Sequence, residues 1–152
     1  MLIRIHESGD FYSLQYLRKW VKIWAHFVDG KSGVRFPMYT KCFAFFNMLT
    51  EAEKDIIRAG QKNGTIAISA SVDDTTTAEQ KAELLKMVAA LPLTNIYYCT
   101  ENIDAVKHDN ECECADCAKC GTCNKATGKT TVVKIHSASG ADMDVYRKNV
   151  VA

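Results

Sequence analysis

Five of the chain's seven cysteines fall within thirteen residues, "ECECADCAKCGTC" at 111–123. Cys112, Cys114, Cys117, Cys120 and Cys123 follow the pattern C-x-C-x2-C-x2-C-x2-C. Thiolates packed this densely repel one another or oxidise unless a cation gathers them, so the run points to a bound metal. Structural zinc normally draws four ligands from two separated knuckles, and no spacer separates two pairs here. Unbroken x2 spacing is nearer to the loops that hold [4Fe–4S] clusters, although those place three residues and a proline around their fourth cysteine. Zinc and an iron–sulfur cluster both stay open, and with five thiols for four positions Cys112 or Cys123 is the spare. Disulfides are disfavoured by the odd count and the clustering.

A second group of chemistry-bearing residues sits where β-rich runs end. His6 ends "LIRIH" and Asp10 follows it, Lys41 follows "VRFPMYT", Ser71 lies near the end of "TIAISASV" with Asp73 just after it, and His136 lies near the end of "TVVKIHS". Imidazole, carboxylate, ammonium and hydroxyl groups on one rim would bind a small polar molecule, with imidazole also able to move protons. Such junctions are polar in any protein, because helix caps and turns favour Ser, Thr, Asp and Gly. Ser13, Thr75, Thr76 and Thr77 are read as caps on that ground. Asp10 is read as a ligand-facing carboxylate of little weight to the fold. Gly9 beside it permits a tight turn. Cys42, in the aromatic stretch "KCFAFFNML", reads as a buried apolar residue.

The elements that must position these groups recur at a steady interval. β-rich runs begin near Leu2, Val34, Thr65, Asn95 and Thr131, spaced 32, 31, 30 and 36 residues apart. Between the first two, Leu17, Trp20, Val21, Trp24, Phe27 and Val28 form an apolar stripe with helical period. Thr50 with Glu53, and Thr77 with Gln80, each read as a capping box that opens a helix. Strands joined by helices must run parallel, with right-handed crossovers. The fold class is therefore α/β, a parallel sheet of about five βα units, as either an open sheet or a partial (βα) barrel. Ligands in such folds sit at the carboxyl ends of the strands, which is where the rim residues lie.

A length of 152 residues with 47% hydrophobic and 24% charged content suits one globular domain, 1–152, carrying the Cys-rich segment 107–129 as an insert before the last strand. A net charge of +1 gives no basic footprint for nucleic acid. The first ten residues lack the apolar core of a leader, and no run is long enough to span a membrane, so a cytoplasmic location is expected.

"RIHESGDFYSLQYLRKWVKIW" followed by "VRFPMYTK" resembles the gene product 88 family of phages and plasmids. The matching positions are Arg4, Ile5, His6, Ser8, Gly9, Asp10, Phe11, Tyr16, Trp20, Tyr39, Thr40 and Lys41, with "AISASVDD", the Cys-rich insert and a strand ending in His136 following in order. The resemblance implies the rear half of a longer protein, distantly similar to radical S-adenosylmethionine barrels, whose front half carries a separate iron–sulfur loop. It implies the host cytoplasm as the location, and S-adenosylmethionine as a cofactor only when that missing N-terminal half is supplied. A barrel fragment would expose an apolar inner face and sheet edges, so self-association or a partner supplying the half is expected. The competing reading is a non-enzymatic accessory protein in which the thiolate loop is a zinc staple.

Overall fold

A computed structural model describes residues 1–6, 9–100, 102–111 and 124–134. Five strands form one all-parallel sheet: β1 (Phe36–Thr40), β2 (Ile66–Asp73), β3 (Asn95–Thr100), β4 (Asn110–Glu111) and β5 (Thr130–Lys134), in the order β1-β2-β3-β5-β4. The α/β class and the parallel sheet expected from the sequence are therefore present. A doubly wound sheet begins at its centre and reverses direction. Here β1, β2 and β3 follow chain order, and the last strand, β5, inserts between β3 and the short edge strand β4.

The first β-rich run is not a full strand. Leu2 and Ile5 make isolated parallel bridges to Arg35 and Met38. Met1 O accepts from Arg35 N at 2.9 Å, Ile3 N donates to Arg35 O at 2.8 Å and Ile5 N donates to Pro37 O at 3.0 Å. The next bond of that ladder would come from the amide of residue 37, and proline has none. Residues 2–5 therefore lie beside β1 as a broken edge.

The described residues include four α-helices, α1 (Leu14–Ala25) ahead of β1, α2 (Phe43–Asn47) and α3 (Glu51–Asn63) between β1 and β2, and α4 (Ala78–Ala90) between β2 and β3. The Ser13 hydroxyl caps α1 by accepting from Tyr16 N. Both expected capping boxes are complete, Thr50 with Glu53 on α3 and Thr77 with Gln80 on α4. Glu53 also meets Arg18 at 3.1 Å, which ties α3 to α1. Gly64, at φ 80°, ends α3 in the left-handed conformation that glycine tolerates best. Gly60 has a different role, since a Cβ there would collide with the Ile66 side chain, and its absence lets α3 lie close on β2.

One continuous core joins the helices to a single face of the sheet. Phe36 and Met38 of β1 and Ile66, Ile68, Ala70 and Val72 of β2 pack with Leu17, Trp24, Ile57 and Met87. Strand side chains alternate, so Tyr39, Ser69, Ser71 and Tyr97 belong to the opposite face. There the Tyr39 and Tyr97 rings meet edge to face at 5.2 Å across β2, and the Arg4 guanidinium lies 5.5 Å from the Tyr39 ring centre. The described residues of this face are mixed: Pro37, Ala67, Cys99 and Val133 lie on it beside the hydroxyls and tyrosine rings, so it is less apolar than the inner face expected of a barrel fragment. No helix among the described residues is long and apolar enough to cross a membrane.

Candidate ligand cleft at the carboxyl end of the sheet

The carboxyl ends of β1 and β2 and the turn after residue 9 are held by one network of carboxylates. Asp10 Oδ1 accepts from Phe11 N at 2.7 Å and from the Thr40 hydroxyl at 2.8 Å, and Oδ2 accepts from Lys41 N at 2.5 Å. Lys41 Nζ in turn meets Asp73 Oδ2 at 2.5 Å. Asp73 Oδ1 accepts from Thr75 N at 3.0 Å, from the Thr75 hydroxyl at 2.6 Å and from the Thr76 hydroxyl at 3.4 Å. At the end of β3, the Thr100 hydroxyl donates to Asp74 Oδ2 at 3.0 Å.

A cleft of about 290 Å³ opens beside this network, lined by Lys41, Phe43, Ser71, Asp73, Thr75, Thr76, Thr77 and Gln80. That volume lies near the lower end of the roughly 300–1,000 Å³ usual for ligand clefts, which suits a small molecule. An adjoining depression of about 280 Å³ shares Lys41, Phe43 and Gln80 and adds Cys42, Glu79 and Glu83. Burial by itself would raise the Asp73 carboxyl, but the Lys41 ammonium and Thr75 outweigh it and hold the group below its ordinary value. Asp73 is thus a fixed anion at the cleft wall.

Lys41, Ser71 and Asp73 come together in the cleft. Asp10 does not line it; both its oxygens serve internal donors, so it builds the rim rather than facing a ligand. His6 is placed elsewhere, because at φ 58° it leaves the extended path of residues 2–5. Its ring lies edge-on to Phe11 at 4.8 Å and Tyr16 at 5.6 Å, with Nε2 buried and without a hydrogen-bond partner among the described residues. His136 and the cysteines Cys112, Cys114, Cys117, Cys120 and Cys123 lie outside the described residues. Among the described residues no three His, Cys, Asp or Glu side chains are grouped as a metal would need.

Sequence reasoning assigned Thr75 and Thr76 to capping alone, whereas they clamp Asp73 from its own turn. Phe43 belongs to the aromatic stretch that reads as core or pocket lining, and Gln80 reads only as a capping-box partner; both reach the cleft, from α2 and α4. Cys42 is only partly buried, with Sγ donating to Phe11 O at 3.1 Å. Burial pushes its thiol up to about 11, and the Asp10 carboxylate adds to the shift, so the group stays protonated at neutral pH.

The arms that flank the cysteine run are tied to the sheet. On the leading side, Asp109 N donates to Thr130 O at 2.9 Å and Asp109 Oδ2 accepts from Thr130 N at 2.8 Å. On the trailing side, Asn95 donates to Lys125 O at 2.7 Å and accepts from Thr127 N at 2.9 Å and the Thr127 hydroxyl at 2.7 Å.

No curated protein and no solved structure matches this chain. The sequence profile of the family described as gene product 88 matches residues 1–126, a span holding β1 to β4, all four helices and every residue that lines the cleft. The chain belongs to the gene product 88 family.

Proposed function

We propose that this chain is a phage or mobile-element protein built as part of a (βα) barrel, which binds a small polar molecule at the carboxyl end of its sheet and a metal in its Cys-rich segment. The observation that carries the reading is the meeting of Lys41, Ser71 and Asp73, from the ends of two adjacent strands, in one cleft beside the Asp10 network. Parallel α/β sheets place ligands at this end because the loops there vary without disturbing the core. The chain-order run of β1, β2 and β3, with the four described α-helices packed on one face, supports the barrel-segment reading, and β5 departs from it by lying between β3 and β4.

The donor set of Cys112, Cys114, Cys117, Cys120 and Cys123 suits zinc or a [4Fe–4S] cluster, either of which four thiolates complete. When bound, such a group would brace the segment, and a cluster would add one-electron chemistry. S-adenosylmethionine enters this reading only if a partner supplies the front half of the barrel with its own open cluster. The edge at residues 2–5 is where such a partner or a second copy would join, since Ile3 and Ile5 commit their amides to β1 and alternation turns those of Leu2 and Arg4 outward.

Anaerobic purification with metal analysis and an absorption spectrum tests the metal reading. One equivalent of zinc without colour, or a brown cluster, supports it; a folded, metal-free protein with all five thiols alkylatable overturns it. Colourless zinc together with no small-molecule binding at the cleft would instead favour the non-enzymatic accessory protein.

A further inference from the structure

The cleft wall carries two opposite charges in contact, and the two are held differently. Asp73 is rigid: Oδ1 is occupied by Thr75 and Thr76, while Oδ2 meets Lys41 Nζ. Lys41 is pinned at its backbone by Asp10, but its side chain is 52% exposed and hangs on four flexible methylenes. An ion pair this open to water is weak and cheap to separate. The Ser71 hydroxyl lines the same cleft; Phe43 beside it is almost wholly buried, and the adjoining depression adds the more open apolar side chains of Ala44 and Phe45.

We infer that the cleft is a site for a small zwitterion, an α-amino acid with an apolar side chain. The ligand's ammonium takes Asp73 Oδ2, Lys41 swings to the ligand's carboxylate, Ser71 supplies a further hydrogen bond and the side chain lies in the adjoining depression against Ala44 and Phe45. The selectivity follows from counting ion pairs. An anion alone must take Lys41 from Asp73 and leave a fixed carboxylate unpaired. A cation alone leaves Lys41 unpaired. A neutral polar molecule leaves the pair intact but gains no charge-assisted bond. A zwitterion exchanges one ion pair for two.

This inference rests on the cleft being a ligand site, and the test separates the two claims. The full chain, labelled with ¹⁵N, is titrated with L-leucine, with N-acetyl-L-leucine as the anion alone and with L-leucinamide as the cation alone. Saturating shifts at the Ser71, Asp73 and Thr75 amides are expected with L-leucine, at an affinity about tenfold or more above either analogue. Lys41→Met should weaken L-leucine by about tenfold, as should Asp73→Asn, whose amide oxygen can still accept from Thr75 and so preserves the turn. An analogue that binds as tightly as L-leucine, or L-leucine binding unchanged in both variants, overturns the zwitterion and leaves a ligand cleft of another class. Silence of these amides to all three probes overturns both claims.

Discussion

Asp10 and Lys41, 31 positions apart, are joined by a 2.5 Å hydrogen bond from the lysine amide to the aspartate carboxylate. That bond and the one from Thr40 lock the turn after residue 9 to the end of β1, and so set where the Lys41 side chain starts. Asp10→Asn replaces one acceptor oxygen with a donor group that faces another donor. The expected outcome is a loss of about 1–3 kcal/mol in chemical denaturation. This revises the reading of Asp10 as a dispensable rim carboxylate; an unchanged midpoint would restore that reading.

Cys42 should be a slow thiol. With its pKa raised to about 11, first by burial and then by Asp10, little thiolate exists near neutral pH. Timed iodoacetamide labelling read by peptide mass spectrometry should find Cys42 modified far more slowly than a free cysteine peptide. Asp10→Asn removes the smaller, electrostatic part of the shift and should speed the labelling without bringing it to the free rate. Labelling at the free rate in the parent chain would show that burial does not protect the thiol.

The Asp73 contribution to stability should depend on pH with a definite sign. Its carboxyl lies below the ordinary value in the folded chain, so its stabilisation is complete above the unfolded carboxyl pKa. It declines as the pH falls below that value and is lost on passing through the lower folded one. Asp73→Asn should therefore be less stable than the parent at neutral pH, and the two should converge in acid. A gap that widens on acidification would contradict this assignment.

The broken edge beside β1 should associate. Sedimentation at micromolar concentration is expected to show a species larger than the monomer, or a monomer that a partner converts. Arg4→Pro removes an outward amide while leaving the Ile3 and Ile5 bonds in place, and it should abolish association. Association that persists undiminished in this variant would place the interface elsewhere.

The βα alternation was legible in the sequence because it rests on local chemistry: the capping boxes of Thr50 and Thr77 and the apolar stripe of α1 need no tertiary partner to be seen. β4 was not legible, for two polar residues, Asn110 and Glu111, carry no strand pattern and pair only because β5 is there to receive them. The first run looked like a strand from its residues, yet Pro37 on the neighbouring strand decides its ladder. Rim membership was readable for Lys41, Ser71 and Asp73, which follow regular strands. It failed for His6, since period-two reasoning assumes extended backbone and this residue has a positive φ. Asp10 was found but its role was not, because the three donors that occupy it come from residues as far as Lys41.

The clamps at Asp109 and Asn95 give residues 112–123 a fixed base on both sides. Thr130 holds one arm and Asn95 the other, and these belong to neighbouring strands, with Ile96 directly opposite Thr130. The sheet thereby acts as a boundary condition: the separation of the two ends is set before any thiol finds a cation. Much of the entropy of closing that loop is already spent in folding the strands, so assembly within it begins from a preset span rather than a free coil. The same anchoring works in reverse. On the proposed metal reading, chelation or Cys117→Ser should therefore leave the helices and the cleft at the end of β2 with their structure and their circular dichroism.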